Sequence, residues 1–200
     1  RIECRAQQQH LRARPRSEDI AQHRHRLGRT GIARLRHLAD HYGASWLYAH
    51  PEAAALEDEL DDKLGPATRR FAYFYLLPER ATADVLTQNV PGWEASFARA
   101  MFPLIRRGMA KAMNISPEGA QRSLGQLREL MERYGARLAD GRRYLCGDTL
   151  TAADLTFAAL ASPVIFPSGY AKITMPDITA MPTPLREEVQ RQRQSPAGQF

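Results

Sequence analysis

The sequence of 200 residues lacks several features that would each place it in a particular class of protein. Its only two cysteines, Cys4 and Cys146, do not have the spacing of metal ligands and allow at most one disulfide, which excludes a disulfide-rich scaffold. No apolar run approaches the roughly 18 to 20 residues that a membrane helix requires, and the N-terminus lacks the apolar core of a signal peptide. We therefore expect a cytoplasmic protein with reduced thiols and no membrane partner.

Alternating strand patterns and internal repeats are also absent after Gly28, whereas helical spacing of apolar residues is frequent. Gly65 and Pro66 interrupt the longest helical segment, which we expect to be one helix bent at that point. The pattern predicts helices over residues 30–43, 51–78, 80–89, 93–113, 117–139 and 151–161, a proline-rich loop over 163–184, and a last helix from about Pro184. The sequence thus predicts an all-α domain.

Positive charge is concentrated at the N-terminal end of the chain. Residues 1–36 contain ten arginines against three acidic residues, a net charge of +7, whereas the other 164 residues carry a net charge of −1. A basic arm can bind phosphates, but this one has no aromatic residue to stack on bases. We expect a poorly ordered, solvated arm and no nucleic-acid partner. Because the chain begins with Arg1, we also expect it to be a fragment.

The stretch "LCGDTLTAADLTFAA" predicts a strongly specified helix start. Thr151 is placed as the N-cap residue of a capping box with Asp154, because the hydroxyl and the carboxylate can each accept a backbone N–H of the other residue. Leu150 and Leu155 flank the box in the positions of a hydrophobic staple, and the apolar helix that follows should be buried. The alternative is a catalytic carboxylate pair of Asp148 and Asp154, but the cap already accounts for Asp154.

This stretch resembles a motif of a known family. "YLCGDTLTAADLTFAAL" is similar to the helix start in the C-terminal domain of glutathione transferases, and the resemblance extends from about Thr30 to Phe200. "ALEDELDDKLGPATRRFAYFYLLPE" is similar to the long first helix of that domain in a bacterial branch. The resemblance implies a helical bundle of the glutathione transferase C-terminal type. It divides the chain into a basic arm (1–28), a remnant helix and linker (29–45) and the helical domain (46–200).

The sequence departs from the family pattern at its N-terminal end. A thioredoxin-like domain normally precedes the helical domain, but too few residues come before Pro51, and residues 1–27 show no strand pattern. In the family, a helix start with an acidic residue and a serine binds the γ-glutamyl group of glutathione. Gly28 and Arg29 stand there in this chain, so the resemblance leaves Arg29 and Thr30 as glutathione-binding candidates. We expect an incomplete chain that does not conjugate glutathione by itself.

The resemblance also implies an activity. Intact relatives conjugate glutathione, which serves as co-substrate without a metal, to a hydrophobic electrophile. For this chain the resemblance is compatible with a homodimer, and the sequence leaves the oligomeric state open. The helix with Arg70, Tyr73 and Phe74 would border the electrophile pocket as an aromatic wall with a cation at one end. Core packing of the aromatic residues is the alternative for this helix. A second hypothesis for the whole chain is a non-catalytic helical interaction module whose basic arm contacts RNA or a protein partner.

Histidine and cysteine side chains provide weaker candidates. His37 and His41 are spaced by four residues, with His23 and His25 upstream, but no convincing third ligand completes a metal site. We expect solvated histidines and no bound metal. Cys146 precedes a helix start, where a thiolate would be favoured, yet its apolar surroundings predict a buried and unreactive thiol.

Overall fold

The computed structural model of the protein describes residues 30–167, 174 and 177–200, with side chains from residue 35 onward. These ranges are helical and contain no strand, which confirms the predicted all-α fold class. The basic arm (1–28) and Arg29 lie outside the described residues. Thr30 is the first residue of the first described helix.

The helices follow one another along the chain with short connections. In order they are α1 (Thr30–His41), a 3₁₀ turn (Ser45–Tyr48), α2 (Ala53–Glu59), a π turn (Leu60–Leu64), α3 (Gly65–Leu76), α4 (Arg80–Leu86), α5 (Gly92–Ala112), α6 (Pro117–Leu138), α7 (Ala152–Ile165), a 3₁₀ turn (Ile178–Ala180), α8 (Thr183–Gln194) and α9 (Pro196–Gln199). Helix α6 begins as its sequence predicts, with Ser116 as N-cap accepting the N–H of Gly119 and with Pro117 in the first turn.

The hydrophobic core forms where α3, α6 and α7 meet. Helix α3 packs most extensively on α6, and α7 packs on α2, α3 and α8. The rings of Tyr134 from α6 and Phe157 from α7 lie 5.4 Å apart and are almost fully buried. Phe71 of α3 belongs to the same cluster. Helix α7 is apolar around most of its circumference, and other helices surround it on several sides. The sequence predicts such a buried helix.

The bend in the long helix α2–α3 differs in form from the predicted one. The interruption is a π turn before the Gly65–Pro66 pair, in which the N–H of Gly65 donates to the carbonyl of Leu60, five residues back. Pro66 cannot donate a helical hydrogen bond, and its ring would collide with the carbonyl of Asp62 in a regular α-helix. The wider turn removes this collision, so the helix continues with a local distortion.

The predicted loop from Pro163 is wrong at its start, because α7 continues to Ile165. Proline in a helix leaves the carbonyl four residues earlier without its backbone donor. Here the hydroxyl of Ser162 donates to that carbonyl, of Ala159, at 2.8 Å. The helix ends instead at Phe166, which adopts the left-handed conformation with φ of 50°.

Helices α4 and α5 form a hairpin in which α5 has its main helix contact with α4. Helix α5 spans 21 residues, but Ala95 is its one buried residue. No helix in the described ranges is both long and apolar enough to cross a bilayer.

Candidate functional site

The start of α7 is held by the carboxylate of Asp154. Its Oδ2 accepts the N–H of Thr151 at 2.6 Å, as in a capping box, and lies 2.8 Å from the Thr151 hydroxyl. Its Oδ1 accepts the N–H of Leu145 at 2.7 Å, which links the helix start to the preceding loop. Both oxygens of Asp154 are therefore used in structural hydrogen bonds, whereas Asp148 is exposed. This geometry favours a structural role over a catalytic carboxylate pair.

The apolar residues around this cap differ in how far they are buried. Leu150 is half-buried and Leu155 is 39% exposed, so this pair is only partly shielded from solvent. Cys146 is buried, as the sequence predicts, with its Sγ 3.7 Å from the Thr151 hydroxyl. Burial raises the pKa of this thiol, which disfavours the reactive thiolate form.

Arg70 of α3 connects three parts of the bundle. Its Nε donates to the carbonyl of Met113, directly after α5, at 3.0 Å. Its Nη1 donates to the hydroxyl of Ser123 on α6, also at 3.0 Å. The guanidinium is half-buried and closes the C-terminal end of α5 against α6. Sequence reasoning missed both partners because they lie 43 and 53 residues away along the chain.

The aromatic residues of α3 continue from Arg70 towards the helix end. Tyr73 and Phe74 are both half-buried, so each leaves part of its ring accessible. Tyr73 packs against the core from outside it. The ring of Phe74 meets Tyr75 edge to face at 4.9 Å, and Tyr75 meets Phe71 in the same way at 5.4 Å. Helix α3 therefore carries a continuous aromatic surface that begins in the core and reaches solvent.

An open cavity of 760 Å³ lies apart from this aromatic surface, between α4 and α5. Its polar lining includes Asp84, Gln88 and Arg99, and Arg99 Nε donates to Asp84 at 2.8 Å. None of the predicted wall residues lines this cavity.

A buried carboxylate lies where α1 meets α2, and sequence reasoning missed it. Glu57 is fully buried and accepts the Tyr48 hydroxyl at 3.0 Å and 2.9 Å through its two oxygens. Arg36 of α1 approaches Glu57 at 3.7 Å and bonds to Asp58 at 3.0 Å. Burial raises the pKa of Glu57, while the Tyr48 hydroxyl and the Arg36 charge act in the opposite direction.

The sequence does contain a signal for this carboxylate. Glu57 follows the buried Ala53 by four residues and precedes the buried Leu60 and Leu64 by three and seven. This spacing places a charged residue on the apolar face of the helix, where a partner is required.

The remaining candidates have less structural support. Arg29 lies outside the described residues, and the backbone of Thr30 begins α1. His37 and His41 are exposed and stack at 4.2 Å, with His41 Nδ1 3.1 Å from the His37 carbonyl. In the part of the chain that the structure describes, no three or more potential metal ligands gather. His23 and His25 lie outside that part.

Comparison with known families agrees with the helical architecture. Residues 117–183, which run from α6 through α7 to the start of α8, match the family model described as glutathione S-transferase, C-terminal domain. This match supports a glutathione S-transferase C-terminal domain in that part of the chain, in agreement with the resemblance found in the sequence. No curated protein and no solved structure matches the chain.

Proposed function

We propose that the chain provides the helical half of a glutathione S-transferase. The observation that carries this proposal is the match of residues 117–183 to the family's C-terminal domain, on an all-α bundle. In this function, glutathione is the co-substrate and a small hydrophobic electrophile is the acceptor. The thiolate of glutathione attacks an electrophilic carbon of the acceptor, forming a carbon–sulfur bond while the leaving group departs with its bonding electron pair. The helical domain holds the acceptor in an apolar environment.

Tyr73 and Phe74 are the residues that we assign to the acceptor wall. Phe74 is backed by the core through Tyr75 and Phe71, and Tyr73 packs directly against the core, so their accessible ring surface offers an apolar surface for an aromatic or alkyl group. Arg70 stands at the edge of this wall, where its bonds to Met113 and Ser123 fix its position. Removal of Arg70 should therefore disturb the bundle as well as the wall.

Glutathione itself requires a donor beside its sulfur and polar groups for its peptide backbone. Arg29 and Thr30 are the residues that the family resemblance assigns to glutathione. A homodimer and a cytoplasmic location are further parts of the proposal, and light scattering of the purified chain checks the dimer.

Calorimetric titration with a series of S-alkyl glutathiones tests this function. If an apolar wall adjoins the glutathione site, affinity should rise by about fourfold for each added methylene, since each buried methylene contributes about 0.8 kcal/mol. In a Tyr73→Ala, Phe74→Ala variant, this dependence on alkyl length should weaken, whereas the exposed Tyr42→Ala should leave it unchanged. Because the chain provides only the helical half, we expect weak binding of the shortest members of the series. An affinity that does not rise with alkyl length would contradict the acceptor wall and favour the non-catalytic interaction module.

A further inference from the structure

Helix α5 exposes large apolar side chains on the side of the helix that faces away from its packing contacts. Trp93 is 75% exposed, Phe97 is 67% exposed and Leu104 is 61% exposed. They are separated by four and seven residues, so they lie on one face of the helix. Ala95, the buried residue of α5, lies about 160° to 200° round the helix from these three. The outer face of α5 is thus apolar where a surface helix is normally polar.

Basic residues extend the same face towards the C-terminal end of α5. Arg107 and Lys111 are exposed and follow Leu104 by three and seven residues. The one acidic residue of α5, Glu94, lies about 100° round the helix from Trp93 and about 60° from Phe97, at the border of the outer face. The outer face therefore combines tryptophan, phenylalanine and leucine with two cations, and Glu94 at its border is the one carboxylate of the helix.

We propose that this outer face of α5, defined by Trp93, Phe97, Leu104, Arg107 and Lys111, docks on an anionic lipid surface. A helix of this kind lies in the plane of the interface, with its apolar side chains among the acyl chains and its cations on the headgroups. The cytoplasmic leaflet carries the required negative potential. This proposal concerns contact with one leaflet, and it replaces the expectation from sequence that the chain has no membrane partner.

Charge complementarity favours lipid over a second copy of the chain. Two antiparallel copies paired through this face would offer Arg107 and Lys111 of each copy only Glu94, which lies at the border of the face. Anionic headgroups supply opposite charge to both cations, and the hairpin position of α5 leaves the outer face open to a broad surface.

The test uses the full chain with Trp46→Phe, which leaves Trp93 as the only tryptophan. It is titrated with vesicles of phosphatidylcholine alone and with vesicles that also contain phosphatidylglycerol. We expect cosedimentation and a blue shift of Trp93 emission with the anionic vesicles, both weakened by salt. Arg107→Gln with Lys111→Gln should lower partitioning by roughly thirtyfold at low salt.

Two further variants identify the surface that binds. Phe97→Glu with Leu104→Glu should lower partitioning by about a hundredfold or more, because two apolar side chains no longer enter the interface. Tyr42→Glu changes an equally exposed aromatic outside α5 and should bind as the parent does. Circular dichroism establishes that each variant is folded. Absence of partitioning, equal binding to neutral vesicles, or a dimer that dissociates in the Phe97→Glu, Leu104→Glu variant would overturn the proposal.

Discussion

The hydroxyl of Tyr48 donates to the fully buried carboxylate of Glu57, with its oxygen 2.9 Å from Oε2. This bond attaches the 3₁₀ turn after α1 to helix α2, and Arg36 of α1 adds a second contact to the same carboxylate. Burial raises the pKa of Glu57 above its ordinary value of 4.5. The junction between α1 and the bundle should therefore respond to pH.

Replacement of Glu57 by glutamine should flatten the dependence of stability on pH. The folded protein holds the Glu57 proton more tightly than the unfolded chain does, so this group's contribution is full below pH 4.5 and is lost as the pH rises through the raised pKa. Glu57→Gln removes this loss. Urea unfolding between pH 4.5 and neutral pH measures how the free energy of unfolding depends on pH. The exposed Glu187→Gln serves as the control, and its free energy of unfolding should change with pH as in the parent. A Glu57→Gln profile parallel to the parent would show that another group controls the pH dependence.

Replacement of Asp154 by alanine should destabilise the fold by about 2 to 4 kcal/mol. The change leaves the N–H groups of Leu145 and Thr151 without the acceptor that they have in the parent, and both residues are fully buried. Chemical denaturation provides the measurement. Asp148→Ala, at an exposed neighbouring carboxylate, should change stability by less than about 0.5 kcal/mol. Equal effects of the two substitutions would refute the structural role of Asp154.

Replacement of Gly65 by alanine should destabilise the fold by about 1 to 3 kcal/mol. A Cβ atom at this position would lie 3.0 Å from Arg69 Nη2 and 3.1 Å from Leu160 Cδ2, at the close crossing of α3 and α7. The Thr68 hydroxyl, which donates to the Leu160 carbonyl at 2.8 Å, holds the two helices together there.

Gly125 provides a matched control for this substitution. It lies exposed within α6, and a Cβ atom there would meet nothing within 4 Å. Gly125→Ala should therefore stabilise the protein by about 0.5 to 1 kcal/mol through helix propensity. Thermal melts of the two variants should shift in opposite directions. A Gly65→Ala melt that also shifts upward would mean that the crossing has room for a methyl group.

Replacement of Tyr73 by alanine should show whether Tyr73 lines the acceptor wall or belongs to the core. If Tyr73 lines the acceptor wall, titration with a hydrophobic dye should weaken while helical circular dichroism keeps its parental amplitude and melting midpoint. Tyr73 is half-buried and packs on the core from outside, which makes both outcomes measurable. A parallel loss of dye binding and helicity would assign Tyr73 to the core and remove it from the wall.

Local signals predicted several features of the fold that the structure contains. Ser116 and Pro117 indicate the start of α6, and their effect depends on a hydrogen bond that spans three residues. The spacing of apolar residues also predicts the all-α class from the local sequence, because the helical period is visible within a few residues. The end of α7 was predicted wrongly, since the role of Pro163 depends on whether a donor such as Ser162 replaces the missing N–H.

The candidate site shows the same difference between local signals, which the sequence contains, and contacts between distant residues, which it does not. The sequence by itself determined that α3 carries Arg70 beside aromatic residues, and that the α7 start pairs Thr151 with Asp154. Only the tertiary structure decided that Arg70 bonds to residues 43 and 53 positions away and that Glu57 is buried against Tyr48. It also decided that the apolar face of α5 stays uncovered. Capping and periodicity depend on neighbours within a turn of helix, whereas burial depends on which distant surface covers a side chain, and that is fixed only when the helices pack.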